Sequence, residues 1–133
     1  MTTFVYNNAR SLFATGALNW PACAAHAVLV TSAYTPLVTD QYFSAVPSSA
    51  VIEDVAMTGL GQSKGYCYGA IPQFNALISS SIVVGLLIYV STGNPATSPL
   101  VYYSSDGVGF PFQPQGFNYA VGYDSSSGGY FQA

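Results

Sequence analysis

Ile82 to Val90 reads IVVGLLIYV, an apolar run broken only by one glycine. Odd and even positions are equally apolar, the pattern of a strand covered on both faces and therefore central in its sheet. A membrane-spanning helix would need ~20 continuous apolar residues. Upstream the run reaches Ile71 only through Gln73, Asn75 and the serines Ser79, Ser80 and Ser81, which interrupt it. At the N-terminus Arg10 stands alone among Asn, Ser and Ala, with no basic region leading into an apolar one, so no secretory signal is expected.

On either side of this strand the chain alternates short strand-like segments with turn chemistry. Ala25 to Thr31, Val51 to Met57, Tyr66 to Tyr68 and Phe74 to Ile78 precede it; Glu53 is expected to face outward and Ile52 inward. Gly93, Asn94 and Pro95 end it. Leu100 to Tyr103, Phe117 to Tyr123 and Tyr130 to Phe131 follow, with turns at Asp106–Gly107 and at Asp124 to Gly129. Asn7 to Thr15 predicts a short helix, with Asn7 or Asn8 as N-cap, Ala9, Leu12 and Phe13 as its apolar stripe and Gly16 as a left-handed stop. A second helical turn is expected over Asp40 to Ala45, capped by Thr39 or Asp40 and closed by Pro47. This pattern predicts a mainly β protein, an antiparallel sandwich or barrel, of which the β-sandwich is the expected form and the jelly-roll its finer variant, with one short N-terminal helix and a single domain over residues 1–133.

Composition points to partners. Among 133 residues only two are Lys or Arg and five Asp or Glu, whereas tyrosine occurs 11 times. Soluble domains usually carry about a quarter of their residues as charges, and that charge keeps folded molecules apart. Interfaces are poor in charge and rich in aromatics, so much of this surface is expected to be contact area. A net charge of −3, with Arg10 and Lys64 as the sole cations, argues against nucleic-acid binding through phosphates.

The residues that usually carry chemistry are few and scattered. His26 is the single histidine and sits among apolar neighbours in AHAVLV, the setting of a core or rim histidine rather than a catalytic base. Glu53 and Asp54 are consecutive on a strand, so they point to opposite faces and do not share a substrate; solvation or an interface ion pair suits them better. Asp106 and Asp124 lie where turns use aspartate. The glycines of TGLGQSKG (Thr58 to Gly65) lack phosphate-loop spacing and read as loop or bulge glycines. Cys23 and Cys67 could form one bridge, with buried free thiols as the plainer expectation. Accordingly no catalytic residue, cofactor site or metal site is expected. The tyrosines Tyr66, Tyr68, Tyr102, Tyr103, Tyr119, Tyr123 and Tyr130 could line a sugar-binding face, but core and subunit interface suit them better.

As an ordered series, YNNARSLFATGALNW (Tyr6 to Trp20), VLVTSAYTP (Val28 to Pro36), TDQYFSAVPSSA (Thr39 to Ala50), GLLIYVSTGNPATSPLVYY (Gly85 to Tyr103) and GFPFQPQG (Gly109 to Gly116) resemble a family of small virion proteins of tailed bacteriophages. The order and spacing of these blocks carry the resemblance, most specifically from Leu86 to Tyr103. It implies a structural protein with no enzymatic activity, a capsid decoration or cement subunit on the exterior of the phage head. Its partner would be the major capsid protein, its self-association trimeric, and it would bind neither nucleic acid nor membrane. A neck, tail or fibre-associated component is the alternative within the virion, and a carbohydrate-binding adsorption module the alternative outside that class. The family carries more acidic residues near Leu18 to Ala25 and Phe74 to Leu77, where this chain has Asn19, Trp20, Pro21 and Asn75, Ala76, Leu77, so its contacts are expected to differ there. Composition and position near the chain ends nominate Phe4, Tyr6, Tyr102, Tyr103, Tyr130 and Phe131 as partner contacts.

Overall fold

A computed structural model describes residues 3–105, 110–121 and 129–132, the side chains of 76, 78 and 132 excepted. Its elements are β1 (Thr3–Val5), α1 (Asn7–Ala14), β2 (Ala25–Val30), β3 (Val51–Ala56), β4 (Gly61–Ser63), β5 (Tyr66–Tyr68), β6 (Gln73–Ile78), β7 (Gly85–Val90), β8 (Leu100–Ser104), β9 (Gln115–Ala120) and β10 (Phe131–Gln132). The protein is mainly β with antiparallel pairing: a five-stranded sheet in the order β1-β8-β7-β2-β3, a three-stranded sheet β10-β5-β4 and a ribbon of β6 with β9, none closed into a barrel.

β7 is the middle strand of the large sheet, and every residue in it is buried. Register shows what covers each face, because cross-strand partners share a side. Leu87 pairs with Val28 and Tyr103, and Tyr89 with His26. On this side the long β2–β3 connection supplies Tyr34, whose ring meets Tyr103 edge-on at 6.3 Å, and Phe43, stacked on Tyr89 at 4.0 Å. Ile88 pairs with Ala27 and Tyr102 on the opposite side. There Tyr102 stacks on Phe131 at 5.6 Å, and Phe131 meets Trp20 at 5.2 Å and Phe13 at 5.8 Å. Strand β10, the helix and the Trp20–Ala22 turn thus close the second face.

The expected central strand is shorter at its start. Ile82 is 52% exposed, and Val83 bridges Phe112 before regular pairing begins at Gly85. Glycine at 85 answers a close approach: a Cβ there would stand 2.6 Å from the Tyr103 hydroxyl, which is fixed in the core.

The helix forms where expected, but its N-cap is Tyr6, not Asn7 or Asn8, and no side chain caps it. The Tyr6 ring is fully buried, and the Asn7 amide donates to the Val38 carbonyl at 2.9 Å, so the neighbouring loop does the work of a cap. Gly16 stops the helix at φ +79°. The second turn is a 3-10 turn over Phe43–Ala45 with Tyr42 as N-cap; Asp40 instead accepts from the Tyr34 hydroxyl and the Leu37 amide. Two strands were not expected, β1 and β4. Lys64 (φ 53°) and Gly65 (φ 82°) form the two-residue turn between β4 and β5, so this glycine serves a hairpin. The turns expected at Asp106–Gly107 and from Asp124, and the strand end at Tyr123, lie outside the described residues.

Leu87→Ala should lower the unfolding free energy by about 2–5 kcal/mol, whereas an exposed-site change such as Phe117→Ser should shift it by less than ~0.5 kcal/mol. Denaturant titration of both variants checks this, and equal losses would contradict β7 as the centre of the core.

Candidate interaction surface

The nominated contacts are drawn together, but inward. Tyr6 has no exposed area, Tyr102, Tyr103, Tyr130 and Phe131 are each 8% exposed or less, and Phe4 is half-buried. The expectation that they stand exposed near the chain ends is corrected. Phe4 packs on Tyr6 and Tyr103, and Tyr102 on Tyr130 and Phe131, because β1 and β10 pair within the fold instead of hanging free.

The hydroxyls of Tyr6 and Tyr130 are satisfied internally. The Tyr34 hydroxyl donates to Asp40 Oδ2 at 2.8 Å, so in the 2.8 Å contact between Tyr6 and Tyr34 it is Tyr6 that donates. Burial, reinforced by the bond to Tyr34, pushes the Tyr6 phenol far above its ordinary value, and burial does the same for Tyr34. The thiols follow suit. Both are free; burial pushes Cys67 from 9.0 up to about 11 and raises Cys23 as well.

A polar cluster crosses the outer end of β2, β3 and β7. His26 Nδ1 lies 2.7 Å from Asp54 Oδ1, and the Tyr89 hydroxyl donates to Asp54 Oδ2 at 2.5 Å. A carboxylate only accepts, so Nδ1 carries the hydrogen. The imidazole stacks on Tyr89 at 5.2 Å. Burial, then the bond to Asp54, raises the Tyr89 phenol. His26 is therefore a rim histidine, 27% exposed, and its carboxylate partner lies in its own chain. The pair orients an imidazole, but among the described residues no hydroxyl meets the other ring nitrogen, so the geometry lacks the nucleophile of a triad. Nor, among the described residues, do three His, Cys, Asp or Glu side chains gather as metal ligands, and no helix there is long and apolar enough to cross a membrane.

Some large apolar side chains remain outward. Phe117 is 67% exposed, Ile82 52% and Ile71 49%, and all three belong to or flank the β6–β9 ribbon. From Gly65 to Ser105 the sequence has no charged residue at all, and the ribbon's other outward residues include Gln73, Asn75, Gln115 and Asn118. Leu37, Val38 and Tyr42 form a second exposed apolar group on the β2–β3 connection. Sequence pattern missed the ribbon's outward Phe117 because burial on a strand depends on which partner covers it. No family model, curated protein or solved structure matches this chain.

The raised phenols and thiols fix the sign of alkaline behaviour. Each is bound to its proton more tightly when folded than when unfolded, so stability is complete below the unfolded values and is lost as pH rises through the folded ones. Unfolding free energy should fall from pH 9.0 upward as Cys67 begins to count, and more steeply above pH 10.0 as Tyr6, Tyr34 and Tyr89 join it. Denaturant midpoints measured across that range check this; an unchanged midpoint beyond pH 10.0 would contradict it. In native protein at neutral pH iodoacetamide should reach half-buried Cys23 before buried Cys67, as peptide mass spectrometry can follow.

Proposed function

We propose that this chain is a structural protein of a tailed-bacteriophage virion, a decoration or cement subunit that binds the outer face of the head and ties the major capsid protein lattice together, acting as a homotrimer and without catalysis. The observation that carries the reading is the β6–β9 ribbon and its flanks, where Phe117, Ile82 and Ile71 stand exposed and no residue from Gly65 to Ser105 is charged. Apolar area of this kind, without charge to keep copies apart, favours a partner surface. The resemblance of the ordered blocks from Tyr6 to Gly116 to small virion proteins supports this class of particle. The β-sandwich of jelly-roll design belongs to the same proposal, with the five-stranded sheet as one layer.

The mechanism is burial. A subunit that binds the assembled lattice better than its separated parts stabilises the assembly by mass action, and an interface of ~1,600 Å² suffices for specific attachment. The glycan-binding alternative is less well supported, because Tyr102, Tyr103 and Tyr130 spend their rings in the core. A neck or tail position differs from decoration in copy number.

Electron cryomicroscopy of purified particles should find the protein repeated over the head lattice. Absence from mature particles, or a few copies confined to the neck or tail, would overturn the decoration reading. Phe117→Asp should leave the free protein folded and reduce its occupancy on heads; undiminished occupancy would remove the ribbon from the interface.

A further inference from the structure

Between α1, the Trp20–Ala22 turn and β4 lies a cleft of about 550 Å³. Phe13, Ala14, Leu18 and Trp20 are its apolar lining, and Asn19 and Gln62 its uncharged polar lining, the Gln62 amide also lying 3.8 Å from Cys67 Sγ. Arg10, exposed, lines it as well. The only contact of its guanidinium among the described residues is a long one, Nε to the Val5 carbonyl at 3.5 Å, and it makes no ion pair there. The chain's other cation, Lys64, sits at the tip of the hairpin that begins with Gln62's strand. Arg10 thus lines the cleft, Lys64 lies in the turn that follows β4, and none of the cleft's lining residues is acidic.

From this juxtaposition we propose that the cleft is a receptor for an acidic segment of a partner polypeptide, an Asp or Glu side chain followed by a large apolar residue. Arg10 pairs with the carboxylate through its planar fork, a geometry that lysine cannot reproduce. Phe13 and Leu18 seat the apolar neighbour, and the amides of Asn19 and Gln62 bond the segment's backbone. A sugar fits less well, since Trp20 is 1% exposed and Phe13 packs on Phe131, so neither offers an open ring face for stacking. The site stands apart from the virion reading and from the β6–β9 ribbon, and binding in solution tests it whatever particle the chain belongs to.

Trp20 is the single tryptophan and is among the residues lining the cleft, so a change in its emission serves as one readout of occupancy. The probes are a blocked tetrapeptide with glutamate before leucine and its glutamine counterpart, titrated into the full chain at low salt, with amide and guanidinium NMR shifts to locate the contact. Saturable change at Trp20, Arg10 and Gln62 is expected, with the glutamine peptide at least ~10-fold weaker, equivalent to about 1.4 kcal/mol. Arg10→Gln should lose that preference and Arg10→Lys keep part of it. Equal binding of the two peptides, an unchanged Arg10→Gln, shifts confined to other residues, or a response to neutral oligosaccharides instead would each overturn the proposal.

Discussion

Both faces of β7 have to be dry. A strand reading GLLIYV, with no polar side chain but one tyrosine hydroxyl, is stable in water only if something lies over each side, at ~25 cal/mol per Å² of apolar area removed from water. The rest of the fold answers that demand. The β2–β3 connection brings Tyr34 and Phe43 over one face, and β10, Trp20 and the helix bring Phe131 and Phe13 over the other. Even the chain ends are recruited, as β1 pairs with β8 and β10 with β5.

Covering a core with tyrosine has a cost, because each buried hydroxyl needs a partner. Tyr6 is satisfied through Tyr34 and Asp40, Tyr89 through Asp54, and Tyr130 by donating to the Val121 carbonyl at 3.0 Å. Two of the few carboxylates, Asp40 and Asp54, are thereby committed to bonds within the chain. The aromatic wealth of the sequence is mostly internal. The large apolar side chains left exposed at the β6–β9 ribbon are aliphatic or phenylalanine instead: Ile71, Ile82 and Phe117.

Elements with long apolar signals were legible: β7, β2 and β8 stand close to where the pattern of Ile82 to Val90, Ala25 to Thr31 and Leu100 to Tyr103 put them. Thr3–Val5 and Gly61–Ser63 were not, since three residues carry no periodicity and their pairing is fixed by Tyr102 to Ser104 and by the Lys64–Gly65 turn. The opposite facing of Glu53 and Asp54 was readable from strand alternation. The Asp54–His26 contact was not, because it depends on the register that sets His26 against Ala56. Least legible was the direction of the tyrosines, as the same Tyr102 and Tyr103 could serve a core or an interface until the covering elements are known. The Arg10 cleft escaped sequence reading altogether, being assembled from α1, the Trp20 turn and β4.

The proposal that the ribbon is a virion interface is tested most directly by hydrogen exchange on purified phage particles incubated with the protein, set against the free chain. Amides of β9 around Phe117 and those near Ile82 should exchange more slowly on the particle, while β7, already buried in the chain itself, should change little. Equal exchange in the ribbon on and off the particle, with protection elsewhere, would contradict it.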